Sequence, residues 1–444
     1  MWAEFKGVWR LLYPMMMASL ASYSLGLLDY HWIRHLGATD LALLALVNGS
    51  VTAFMFLLSK SFEESFVALF ARAPLPEQGL LLQQALGFAA GAGASVSALL
   101  LWAQTPLLRF LSGGALASPH AGVFYTVVVL GFPLLLVNTV LSAATRVYGD
   151  ARTPARISVA CGLLNNLLDP LLIFGVLSHA PAAQMLGLAA ASWITRVLYL
   201  LLSSVTLRTH LQRHQVRLPR WHWVGAWQQR LLRLFVPSAL LETLTFGANL
   251  MVYAAISSYG VHAMGGYGVG FELLTIGFIL VKGLSVVFMI RLGSRMRQGS
   301  GFDATVRSVL VLGTLFVMAL SAGFFALRGL VLPFLVSDPD AQAIARQLLN
   351  YTPVFIASYL LRNLVGGCCQ LLERPAWALG LGLFYSWVIN LGAVYAALWA
   401  RRPVTDVFAV LALAGAIRVV LYLGVFRWLV HRLATHAGLP LRQA

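Results

Sequence analysis

Asn165 and Asp169 stand four residues apart inside an apolar run, GDARTPARISVACGLLNNLLDPLLIF, that covers residues 149–174. On a helix that spacing puts the two side chains one above the other, able to share a proton or a ligand. An Asp at the centre of a membrane-spanning helix costs roughly 2.5–3.5 kcal/mol on insertion scales, so a carboxylate retained there points to function. Pro170 follows at once, removing a backbone donor and inviting a bend beside the acid. Asp29 is a second acid in such a run, next to Tyr30, His31 and Trp32. In a low dielectric a carboxyl group is suited to taking and releasing a proton, which a coupling site requires. The plainer readings are an interfacial Asp29 bonded to His31 or Arg34, and a simple packing pair for Asn165 with Asp169.

Other ionisable residues also fall inside apolar runs. Glu63 and Glu64 follow Lys60, and with two adjacent acids one is expected to pair with the lysine. Glu242, Glu272 and Lys282 lie in the second half of the chain, with Arg196 and Arg418 as a matched pair, one in each half. Retention in both halves favours a structural role for the arginines, such as holding carbonyls or a carboxylate within each half. Arg362 has no basic counterpart, because the Pro133–Pro353 match sets it against Ser142. It is the candidate for an asymmetric substrate contact, and a lone Arg would favour an acidic or phosphate-bearing molecule. Tyr23, Phe54, Phe246 and Tyr253 could stack on a flat cation, with ordinary packing as the default for each. Together with Glu242, Glu272 and Arg362 they make the candidate substrate cavity.

The elements that must position these groups are membrane helices. The 444 residues are 59% hydrophobic and 10% charged, with mean hydropathy +0.81, a balance outside every soluble globular class. The expected fold is all-α and integral to the membrane, with twelve transmembrane helices in two six-helix lobes. The lobes are expected at 1–207 and 231–430, joined by a basic cytoplasmic linker at 208–230 and followed by a tail at 431–444. Met1 to Arg10 carries no cleavage signature and reads as the start of a retained first helix. Cys161, Cys368 and Cys369 lie in apolar runs and read as small core residues, with no metal site.

The two halves are copies. Arg10-Leu-Leu-Tyr-Pro14 matches Arg233-Leu-Phe-Val-Pro237, Arg152-Thr-Pro154 matches Glu373-Arg-Pro375, and Ile194-Thr-Arg196 matches Ala416-Ile-Arg418, at offsets of 221 to 223 residues. Six spans per half insert both copies the same way round, so a pseudo-two-fold along the membrane normal should relate them, with the site in the cleft between. At the positions matching Asp29 and Asp169 the second half has Val252 and Asn390. With both termini cytoplasmic, twenty basic residues fall inside against six outside, and the remaining five, Lys60, Arg196, Lys282, Arg362 and Arg418, fall within spans. That is the positive-inside pattern, and it accounts for most of the net charge of +16 without nucleic acid.

These features resemble the MATE (multidrug and toxic compound extrusion) family, in the larger group that includes lipid-linked oligosaccharide flippases. The residues that carry the resemblance are Pro14, the stretch LDYHWIRHLG ending at Gly37, and Gly149-Asp150 with Thr153-Pro154 leading into Asn165-x-x-x-Asp169-Pro170. The resemblance implies two lobes in a V, an export cavity between them, and coupling to inward proton or sodium flow. It implies a cation site at Asp29, Asn165 and Asp169. Two departures stand out: Phe70-Ala-Arg-Ala-Pro74 and Arg291-Leu-Gly-Ser-Arg295 replace small glycine-rich turns, and Glu242 lies about a turn early for the seventh-helix Glu of another branch.

The resulting expectation is a secondary active exporter, a cation-coupled antiporter of amphipathic or cationic small molecules working by alternating access. It would be integral to the cytoplasmic membrane and monomeric, contacting its small-molecule substrate and membrane lipid, with no nucleic acid and no cofactor beyond H+ or Na+. Few hard oxygen ligands favour the proton. A flippase or exporter of a lipid-linked saccharide or biosynthetic metabolite is the alternative. A lipid-modifying membrane enzyme is disfavoured, because the sequence has no His-rich cluster, nucleophile elbow or phosphate-binding glycine loop.

Overall fold

The computed structural model describes residues 2–33, 47, 51–111, 119–176, 181–219, 224–298, 302–335 and 338–436, and among these no residue is in a β-strand. The first half contains α1 (Trp2–Ile33), α2 (Ala53–Phe70), α3 (Leu75–Trp102), α4 (Gln104–Leu111), α5 (Pro119–Leu130), α6 (Phe132–Val147), α7 (Arg152–Pro170) and α8 (Pro181–Arg213). The second contains α9 (Gly225–Ser257), α10 (Val261–Gln298), α11 (Phe302–Leu335), α12 (Pro339–Leu349), α13 (Thr352–Leu371), α14 (Pro375–Leu383), α15 (Gly392–Trp399) and α16 (Val404–His436). Among the described residues ten spans are long and apolar enough to cross a membrane, with α5 and α6 serving as one span and α14 and α15 as another. The 32-residue α1 and the 18-residue α2, which carries Lys60, Glu63 and Glu64, complete twelve membrane helices, six per half. The protein is an integral membrane protein of all-α fold.

Proline sets the breaks. Pro133 lacks an N–H, so the fourth span is interrupted at Gly131 and restarts with the proline in its first turn. Pro170 ends α7 and denies the Asn166 carbonyl its i+4 donor. The chain continues as a π-helical turn, Leu171–Val176. In the second half a π-helical stretch, Phe384–Leu391, joins α14 to α15 and contains Asn390. Several helices overrun the apolar stretches that announce them: α3 begins at Leu75, α8 runs on to Arg213 and α9 starts at Gly225. The stretch expected as a linker at 208–230 is therefore partly helical. Hydropathy marks only the hydrocarbon-facing part of a helix, whose backbone bonds continue into the interface.

The chain forms two compact units, Tyr13–Leu232 and Met1–Leu12 with Arg233–Ala444. The division falls within α1: its first turns, expected with the N-terminal lobe, pack with the C-terminal half. Trp9 lies 6.1 Å from Phe316, and Gly7 lies against the Arg291 guanidinium.

Inside the first unit Phe62, Phe66, Phe70, Tyr125 and Phe132 are fully buried, with Phe62 stacked on Phe88 at 5.4 Å. The second unit is centred on Tyr267, Leu274, Val394 and Phe408, all buried, with Tyr253, Phe271 and Phe278 packed against them. Helix association in lipid relies on close van der Waals contact, so small residues at crossings matter. A Cβ at Gly187 of α8 would lie 2.6 Å from the Leu172 carbonyl oxygen, so α8 approaches the π-helical turn closely only because that residue is glycine.

Candidate functional site

In the N-terminal unit the Asn165 amide Nδ2 donates to Asp169 Oδ2 at 2.9 Å, and the Thr195 hydroxyl of α8 lies 3.1 Å from Asn165 Oδ1. Asp169 has no solvent exposure. The helical spacing aligns Asn165 with Asp169, and the α7–α8 packing brings in Thr195. The result is a hydrogen-bonded chain of hydroxyl, amide and carboxylate immediately before the Pro170 break. Chemically it can hold a proton or present oxygens to a small cation. Thr195 carries no signal of its own in the sequence, although it precedes Arg196 in one of the duplicated motifs. Asp29 belongs to α1, but its side chain lies outside the described residues, as does that of Tyr23.

A second cluster in the same unit ties α2 to α6. Glu63 is 1% exposed and accepts from Lys60 Nζ at 2.8 Å and from the Arg146 guanidinium. The lysine thus engages the acid three residues on, rather than Glu64 one full turn away. Arg146 was not visible as a partner from sequence, since it sits 83 positions from Glu63. At the start of α7, Asp150 accepts from the Thr153 backbone N–H at 3.0 Å and its hydroxyl at 2.6 Å, and His210 Nε2 lies 3.2 Å away. Burial raises the Asp150 pKa, but these hydrogen bonds and the imidazole outweigh it and hold the acid below its ordinary value.

The C-terminal unit has a different arrangement. Arg362 Nη2 lies 3.0 Å from Glu242 Oε1, with the two side chains 8% and 13% exposed. Arg362 is therefore not a lone cation: two residues nominated separately form one ion pair between α9 and α13. Its guanidinium also lies 5.9 Å from the Tyr359 ring, which stacks on Phe278 at 4.5 Å. Arg418 donates to the Ser358 hydroxyl and sits 3.9 Å over Tyr385. Its duplicate Arg196 packs its guanidinium against Gly131 at the α5–α6 break. Both arginines are held within their own unit, Arg418 by a hydroxyl and a ring in place of the expected carbonyls or carboxylate.

The nominated aromatics divide. Tyr253 packs on Tyr267 at 5.6 Å, at the edge of the unit's core, while Phe54 and Phe246 are half-buried. Glu272 is an exposed residue of α10. The described residues thus bring together Asn165 with Asp169, and Glu242 with Arg362.

The MatE family pattern matches residues 14–171 and again 237–396. The chain belongs to the MatE family. The two matched segments begin 223 residues apart, the offset at which the opening motifs of the halves coincide, and Asp169 falls in the first and Asn390 in the second. Among curated MatE-like relatives, the probable multidrug resistance protein NorM of Acinetobacter baylyi is 25% identical over 402 residues, 87% of each chain. The multidrug resistance protein PmpM of Pseudomonas aeruginosa is 24% identical, covering 88% of this chain and 84% of its own. An FAD transporter of Shewanella oneidensis is 25% identical over 69% of this chain and 68% of its own. In fold, the chain is similar to a Vibrio cholerae MATE transporter, with a TM-score of 0.82 at 14% identity over 97% of this chain and 98% of that one. An outward-facing multidrug resistance MATE transporter gives a TM-score of 0.81 at 16% identity, over 97% of each chain.

Proposed function

We propose that this MatE-family chain is a secondary exporter of amphipathic or cationic small molecules, driven by inward proton flow and working by alternating access. The observation that carries the proposal is the fully buried Asp169, bonded to Asn165 and backed by Thr195, directly before Pro170. Relatives named as multidrug resistance proteins support the substrate class. Protonating Asp169 removes a buried charge, weakens the charge-assisted bond from Asn165 and turns one of the acid's two acceptor oxygens into a donor that needs a partner of its own. Pro170 has already removed the backbone bond that would resist bending there, so a local change at the acid can redirect the helix beyond it. In this reading Asp29 shares the proton site, both termini are cytoplasmic, the protein acts as a monomer, and it is not an enzyme.

The test is efflux of a fluorescent lipophilic cation from reconstituted vesicles, driven separately by proton and sodium gradients. Efflux that follows the proton gradient in wild type and stops in Asp169→Asn and Asp29→Asn is expected. Wild-type rates and wild-type pH dependence in both variants would refute the site.

A second reading, export of an anionic metabolite, is favoured by the FAD transporter among the relatives. Efflux of a flavin nucleotide, with none of the lipophilic cation, would select it.

A further inference from the structure

The duplication allows each corner of one unit to be compared with its counterpart in the other. At the offset of 222 residues that matches Arg196 to Arg418, His210 corresponds to Arg432, and at the 221-residue offset of the Pro154–Pro375 match Asp150 corresponds to Leu371. In the N-terminal unit this corner, between the start of α7 and the end of α8, holds Asp150 against His210 at 3.2 Å, and Tyr148 stacks on His214 at 4.8 Å. In the C-terminal unit an arginine stands in place of the histidine and a leucine in place of its acid. A second arginine, Arg374, stands where the first half has Thr153, at the 221-residue offset of the Pro154–Pro375 match.

Leu372, Arg374, Trp377, Arg432 and Thr435 line a cavity of about 390 Å³ there. The Arg374 guanidinium lies 4.9 Å from the Trp377 ring, and Arg432 lies 5.5 Å from Trp377 and 4.5 Å from Trp428. Among the described residues no carboxylate is within ion-pair distance of either arginine. Stacking on a ring uses the face of a guanidinium and leaves its edge N–H donors for an acceptor. Paired tryptophans with arginines at a helix end are the composition of the membrane–water interface. Two guanidinium forks suit a phosphodiester, which accepts from each in bidentate fashion.

We propose that this corner of the C-terminal unit holds the phosphodiester headgroup of an anionic membrane lipid. In the proposed orientation it faces the inner leaflet.

The test is native mass spectrometry of the full chain in detergent, titrated with phosphatidylglycerol or phosphatidylcholine. Wild type should retain phosphatidylglycerol selectively. At about a fivefold effect per arginine near a lipid phosphate, Arg374→Gln with Arg432→Gln should weaken retention about 30-fold. Leu372→Asp, which puts an acid in the cavity wall and leaves both arginines in place, should abolish the selectivity. Arg401→Gln, which removes one positive charge at the turn before α16, should leave it unchanged. Equal retention by wild type and by either pocket variant would overturn the proposal, as would an equal loss in Arg401→Gln. Displacement of the lipid by inorganic phosphate at matching concentration would overturn the lipid assignment in favour of a free anion.

Discussion

Glu242 and Arg362 meet at 3.0 Å in the interior of the C-terminal unit, and each is the other's principal charged partner. A carboxylate on α9 is thereby engaged by a cation built into the chain. Leaving one member of a buried ion pair alone costs about 3–5 kcal/mol, whereas replacing both with apolar groups of similar volume is close to neutral. Glu242→Gln should therefore lower thermal stability in detergent by about 3 kcal/mol, and adding Arg362→Met should restore most of it. Additive losses in the double variant would show that the two side chains do not act as a pair.

Around Asp169 the expectation concerns both stability and coupling. Asn165→Ala removes the amide donor to a buried carboxylate and should cost about 1–3 kcal/mol while displacing the pH dependence of efflux. Thr195→Val removes only the hydroxyl behind Asn165 and should cost about 1 kcal/mol with a smaller displacement. A larger pH effect from Thr195→Val than from Asn165→Ala would contradict the order of the hydrogen-bonded chain.

Outside the spans, His262 at the start of α10 hydrogen-bonds Asp338, whose other oxygen accepts from the Asp340 N–H at the start of α12. The bond to Asp338 raises the His262 pKa above 6.5, with Asp340 adding to the effect, and the same bond to His262 lowers that of Asp338 below 3.8. A raised histidine contributes its stabilisation below its ordinary value and loses it as pH climbs through the raised one. A lowered acid contributes above its ordinary value and loses it as pH falls through the lowered one. The tie is thus complete between pH 3.8 and 6.5. Intrinsic-rate-corrected hydrogen exchange at the first turn of α12 should rise as pH increases beyond that window. In Asp338→Asn this pH dependence should vanish.

The approach of α8 to the π-helical turn gives a steric prediction. In Gly187→Ala the added methyl meets the Leu172 carbonyl oxygen at 2.6 Å, and backbone cannot yield as a side chain does. Destabilisation of about 1–3 kcal/mol is expected, read as a lower melting temperature in detergent. An unchanged melting temperature would mean that the helices separate at no cost.

The sequence by itself determined the membrane class, the twelve helices in two copies and the break at Pro170. Hydropathy, proline placement and the repeat offset are all properties of the chain read along its length. It also placed Asn165 over Asp169, because one helical turn suffices to align them. Only the tertiary structure decided the longer-range partners: Thr195 with Asn165 across 30 residues, Arg146 with Glu63 across 83, and Arg362 with Glu242. It also showed that Arg374 and Arg432 share one cavity with Trp377. A buried charge announces in sequence that it needs a partner, but which of several distant residues serves depends on how the helices pack against one another.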